Sequence, residues 1–202
     1  MTKLNAGLFG ALSGKIGNVV VVNRGKTAYV RSVPKYTEES WTDSQRQVRK
    51  RFAIVSKFCQ EYKKSIIFPI WNLLPGPSSG YNKFLGTNIK AFDKEGNIMD
   101  MSLLHFSNGS LTPPYQLSVE KRECEIAIGW TNDPGLSRIR IKDKLMFMAV
   151  VDGRITGPHN SGLTRGMLQG TFSLPEPSTT ALYLYFASSD KQSFSPDRFL
   201  EL

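Results

Sequence analysis

Glu123-Cys124-Glu125-Ile126-Ala127-Ile128-Gly129-Trp130 is the stretch on which the fold turns. Cys124, Ile126, Ile128 and Trp130 alternate with Glu123, Glu125 and small residues, and a period of two marks a strand with one buried and one wet face. Outward from it, Gln116 to Val119, Lys144 to Val151, Met167 to Leu174, Thr180 to Ser188 and Arg198 to Leu202 are further strand candidates. Asn132-Asp133-Pro134-Gly135, Asp152-Gly153 and Pro175-Glu176-Pro177 separate them with turn chemistry.

About seven short strands in ~100 residues predict an antiparallel β-sandwich of immunoglobulin or fibronectin type III shape. A tryptophan closes the key strand and no second cysteine is placed to bridge two sheets, which favours the disulfide-free, fibronectin-like version.

Upstream the pattern changes. Val19-Val20-Val21-Val22 and Thr27 to Val33 flank Asn23-Arg24-Gly25-Lys26 and read as a β-hairpin, ended by Pro34. Four consecutive valines are apolar on both strand faces, so the second face calls for a cover from the rest of the protein or from another chain. Thr42 and Gln45 have capping-box spacing with Trp41 as a staple partner. Val48, Phe52, Val55, Phe58 or Cys59, Tyr62 and Ile66 then repeat at helical intervals toward Pro69. After the Pro75 to Gly80 loop, Tyr81, Phe84, Leu85, Ile89 and Phe92 outline a second, shorter helix. The expected class is α+β: an N-terminal β-hairpin with a helical hairpin over residues 1–100, then the sandwich over 101–202.

The charge is lopsided. Of 26 Lys/Arg and 17 Asp/Glu, residues 1–64 hold 13 and 4, which accounts for the whole net charge of +9. Such asymmetry points to an acidic or polyanionic partner for one end and a neutral folded body at the other. Gly7, Gly10, Gly14 and Gly17 punctuate this basic end at spacings that cost a helix roughly 1 kcal/mol per glycine relative to alanine, so an extended arm or loop is expected there. The helix carries Arg46, Arg49, Lys50, Arg51, Lys57, Lys63 and Lys64 on its other sides, which a solvated face accounts for as readily as a contact does.

The residues argue against chemistry. Gly14-Lys15 and Gly25-Lys26-Thr27 imitate phosphate-binding loops but lack the required partners: Phe9 and Ile16 occupy essential positions of the first, Val20 one of the second. His105 and His159 stand outside any ligand cluster, and no metal or cofactor is expected. Glu123 and Glu125 read as a solubilising strand face, and Trp130, Tyr183 and Tyr185 as core rather than a sugar-binding cleft. Cys59 and Cys124 are expected as two buried free thiols. Asn108-Gly109-Ser110 is a sequon that matters only in a secreted chain. The start of the chain imitates an export signal, but Asn5 and three glycines break its apolar run and no cleavage site follows. Gly7 to Leu12 looks like the opening of a fusion peptide over six residues only, and no stretch reaches the roughly 18 apolar residues of a spanning helix, so membrane insertion is not expected.

The run Gly7-x-x-Gly10-x-x-Ser13-Gly14-Lys15-x-Gly17-Asn18-Val19-Val20, then Tyr29-Val30-Arg31-Ser32-x-Pro34 and Gln45-x-x-x-Arg49-x-x-Phe52, resembles an uncharacterised family of bacterial and bacteriophage proteins. The likeness covers about the first 90 residues, with Tyr81-Asn82 and Phe84 matching loosely, and a sandwich tail is a common companion. It implies a structural, virion-type role and brings no biochemical activity.

The function expected is therefore a non-enzymatic structural or assembly protein, a phage or prophage virion component located in the virion or the bacterial cytoplasm. It docks on other protein chains, in a homo- or hetero-oligomer, through Gly7, Gly10, Gly14, Lys15, Gly17, Asn18 and Arg31. The alternative is nucleic-acid binding through Arg24, Lys26, Arg31, Arg46, Arg49, Lys50 and Lys57, though no DNA- or RNA-binding signature accompanies them.

Overall fold

The computed structural model describes residues 2–4, 13–24, 27–35, 37 and 41–202. It contains mixed helices and three antiparallel sheets, in two compact units, Met1–Arg46 and Gln47–Leu202.

In the first unit, strands β1 (Thr2–Leu4), β2 (Gly14–Ile16), β3 (Val19–Arg24) and β4 (Thr27–Ser32) form one sheet in the order β1-β4-β3-β2. The valine hairpin is present: Val19 pairs with Ser32 and Arg24 with Thr27. The stretch read as an arm contributes a strand of its own, with Gly14 opposite Val21 and Ile16 opposite Val19. A two-residue connection, Gly17-Asn18, joins β2 to β3. Gly17 there adopts φ +57°, the left-handed backbone that favours glycine at the first central position of a tight hairpin. Val21 and Ala28 are buried.

The boundary between the units falls within α1 (Asp43–Glu61). The capping box is reciprocal: Thr42 N–H donates to Gln45 Oε1 at 3.0 Å and Gln45 N–H to Thr42 Oγ1 at 3.3 Å. The helix is shorter than the apolar stripe allows, because the chain widens into a π-turn at Lys63–Ile67, where Ile67 N–H reaches back to Tyr62 O, before a 3-10 turn at Trp71–Leu73. Helix α2 (Gly80–Asn88) is capped by Ser79, whose Oγ accepts from Asn82 N–H. At its first position a Cβ on Gly80 would lie 2.6 Å from the Asn72 backbone nitrogen, so only glycine lets the two turns approach.

Seven further strands follow: β5 (Tyr115–Arg122), β6 (Glu125–Thr131), β7 (Lys144–Val151), β8 (Arg154–Thr164), β9 (Gln169–Ser173), β10 (Thr179–Ala187) and β11 (Arg198–Glu201). They make two sheets, β5-β6-β9 and β11-β10-β7-β8. Ile126, Ile128 and Phe172 from the first share a core with Leu145, Phe147, Leu182 and Leu184 from the second. The other face of β7 and β10 is buried too: Met148, Val150, Tyr183 and Tyr185 pack with Val55, Ile66, Trp71 and Phe84 of the helical layer. This explains why β10 reads as an apolar run without alternation. The compact units divide at 46/47, where the sequence suggested 100/101. Phe106 lies 4.8 Å from Tyr183 and 5.1 Å from Tyr62, ring centre to ring centre, joining the segments on either side of residue 100 in one core.

One further expectation is corrected, and one strand is added. Cys59 is buried, but Cys124 is exposed, because Arg122 pairs with Glu125 and leaves Glu123-Cys124 as the connection between β5 and β6. Strand β8 is absent from the strand candidates because Gly157, Pro158 and Gly162 interrupt its sequence. It is an edge strand with register shifts against β7, where proline is tolerated.

Candidate attachment site

Of the residues expected to dock on a partner, Gly7 and Gly10 lie outside the described residues, as does Lys26 of the alternative set. Gly14, Lys15, Gly17 and Asn18 are all exposed and sit together on β2 and its turn. Among the described residues, β2 pairs only with β3 and forms one edge of its sheet. Asn18 contributes its carbonyl, which accepts from Val33 N–H at 2.9 Å.

The register sorts the side chains. Lys15 stands opposite Val20, and Val20 opposite Arg31, so Lys15 and Arg31 share a face on either side of a valine. Ile16, half exposed at 52 %, lies on the other face with Val19. Residues flanking a two-residue hairpin turn exchange both of their main-chain bonds, and bonding then alternates along the ladder. Ile16 and Gly14 are therefore turned inward to β3, and the N–H and C=O of Lys15 face the open edge. An edge strand with free main-chain groups is a template for another strand.

The basic helix residues up to Lys57 lie on α1. Arg46, Arg49, Lys50 and Lys57 are exposed on α1, and Arg46 Nε donates to Trp41 O at 3.2 Å. Arg51, read with them as part of the polar side, is instead half buried and donates to Ile89 O. The same half of the helix exposes Val48 (66 %) and Phe52 (49 %), members of the apolar stripe whose later residues Val55 and Cys59 are fully buried.

The other polar groups that the sequence singled out sit as follows. Trp130, Tyr183 and Tyr185 are core residues, and the Tyr183 hydroxyl donates to Met101 O at 2.6 Å. Burial pushes the Cys59 thiol up to about 12, a value that makes it inert. His159 packs on Phe147 and burial lowers its pKa. His105 has a partner that its sequence neighbourhood conceals: its Nδ1 lies 2.9 Å from Asp197 Oδ1, and the hydrogen bond to that carboxylate raises its pKa. Asp197 Oδ2 accepts from Phe106 N–H, and Asn88 bonds both the N–H and the C=O of His105. The pair thus clasps the 105–107 segment between α2 and the end of the chain. Among the described residues no group of three or more His, Cys, Asp or Glu could hold a metal ion, and no helix is long and apolar enough to cross a membrane.

No family model matches this chain, and no curated protein does. Among solved structures it is similar to a β-sandwich protein obtained by computer-based redesign, at 21 % identity over 46 % of this chain and 89 % of that one, with a TM-score of 0.32.

Proposed function

We propose that this is a non-enzymatic assembly protein that attaches to neighbouring chains by adding their strands to β2, with the two-sheet body as the module so anchored. The observation that carries the reading is the β2 edge, which has no strand on its outer side among the described residues and on which Gly14, Lys15 and the Gly17-Asn18 turn are all exposed. Main-chain pairing along such an edge supplies affinity, and flanking side chains supply selectivity. Lys15 and Arg31, set around Val20, select an acidic or carbonyl-rich neighbour. The body is read as fibronectin III-like, supported by its strand order: counting its own strands, 1-2-5 faces 7-6-3-4. A virion location, in a phage or prophage particle, is part of the same proposal and rests on the resemblance of the N-terminal motif.

Deleting residues 1–33 tests the attachment claim. The expected result is loss of assembly with a body that still unfolds cooperatively; a truncated chain that assembles as before contradicts it.

The exposed cations Arg46, Lys50 and Lys57, spaced along one side of α1, favour nucleic acid as the second reading, with Arg49 beside them. Its affinity for duplex DNA falls with salt at a log–log slope near −0.9 per neutralised phosphate. Absence of binding at low salt removes it.

A further inference from the structure

At one end of the two-sheet body three turns meet. Arg165 N–H donates to Asp143 O at 2.7 Å, Ser189 Oγ donates to Lys142 O at 3.1 Å, and a Cβ on Gly166 would lie 3.1 Å from Ile141 Cβ. On this platform Ile139 is 78 % exposed, and Ile141, Met167 and Leu168 are exposed with it. Beneath it the buried Arg165 guanidinium lies 4.0 Å from the centre of the Phe186 ring and donates to Thr112 Oγ1 and O, with Asp143 Oδ2 at 3.6 Å. Leu168 is held at φ +61° while Trp130 N–H donates to its carbonyl at 2.8 Å. A bulky residue keeps that backbone only when its surroundings impose it.

The charges at the two ends differ. Around the aliphatic group stand Arg138, Lys142 and Lys191, all exposed, and Arg140, half buried 3.8 Å from Asp143; Asp133 and Asp190 are the exposed carboxylates there. At the far end, Leu174 N–H donates to Cys124 O, Lys121 Nζ to Thr179 O, and Val151 pairs with Thr179, which draws the β5–β6, β7–β8 and β9–β10 connections together. Glu123, Glu125, Asp152 and Glu176 are exposed on it against Arg122, Arg154 and the half-buried Lys121. Cys124, Pro175 and Pro177 give that end exposed apolar surface.

We infer that the basic, aliphatic end of one copy seats on the acidic, proline-bearing end of a second copy. Opposite charges meet in this head-to-tail contact, whereas two basic ends placed together repel. Being heterologous, it repeats into a ring or a filament. It is independent of the β2 edge.

The test uses the full chain carrying Lys15→Pro, in which the β2 edge is disabled, followed by sedimentation velocity at about 50 mM and about 500 mM salt. Association is expected at low salt and weakens about tenfold or more at high salt. Arg138→Glu with Lys142→Glu abolishes it, Glu123→Lys with Glu176→Lys abolishes it, and mixing the two reversed chains restores it. Leu168→Gly removes the side chain but relaxes the backbone, so association weakens while the melting temperature holds or rises. A monomer at low salt, reversed chains that fail to pair on mixing, or Leu168→Gly that associates like its parent overturns the inference. So does a monomer that binds vesicles of 70 % phosphatidylcholine and 30 % phosphatidylglycerol, which assigns the basic end to anionic lipid.

Discussion

Lys15 and Arg31 stand on one face of the N-terminal sheet, each registered against Val20 from opposite sides. Neighbouring strands lie about 4.8 Å apart, so the two cations are about 10 Å apart with an apolar floor between them. If their charge were the whole of the attachment, neutralising both would remove it. If the Lys15 main chain carries it, Lys15→Gln with Arg31→Gln loses selectivity among acidic partners but keeps assembly. The check is sedimentation of the double variant beside the wild type, with assembly retained within about threefold, or about 0.6 kcal/mol.

Phe106 tests the layered body. It is fully buried among Phe58, Tyr62, Phe84 and Tyr183, which come from both the helical layer and the sheet. Phe106→Ala is expected to cost about 3–5 kcal/mol. Denaturant unfolding followed at Trp71, in the helical layer, and Trp130, in the two-sheet core, is expected to give coincident transitions that shift together. Separate transitions contradict a single body over 47–202.

His105 predicts a pH dependence. Its pKa is raised in the folded chain by the hydrogen bond to Asp197, so its stabilising contribution is complete below the ordinary histidine value of about 6.5. That contribution is lost as pH rises through the raised folded value. The wild type is expected to lose a few degrees of melting temperature relative to His105→Gln across that window. Parallel melting curves for the two proteins over the same range contradict the clasp.

The thiols differ in the same testable way. Cys124 is exposed in its turn and is expected to react with a disulfide reagent in the native protein. Cys59, buried and with its pKa pushed up to about 12, reacts only on unfolding. Two fast-reacting thiols in native buffer contradict the placement of Cys59.

How legible all this was depends on the kind of signal. Thr42 and Gln45 announce their capping box because both partners lie within one turn, and the alternation from Ile126 to Trp130 announces a half-buried strand. Strand β8 was hidden by Gly157, Pro158 and Gly162, which only an edge position tolerates. Cys124 was misplaced because alternation says nothing about where a strand begins. Strand β2 is three residues long and owes its conformation to pairing with Val19 to Val21, a tertiary effect that no local glycine spacing reveals. Of the candidate site, the glycine and lysine positions were legible as a motif; their union on one sheet edge was not. The His105–Asp197 pair spans most of the body and has no local signature.

The most direct test of the attachment claim is a single main-chain atom, the outward N–H of Lys15. Lys15→Pro removes it and leaves the pairing of Gly14 and Ile16 with β3 in place, and sedimentation of that chain at about 500 mM salt, where charge contacts are screened, reads the edge contact alone. The account predicts assembly for the wild type and for Lys15→Gln, and none for Lys15→Pro; a Lys15→Pro chain that assembles like the wild type contradicts it.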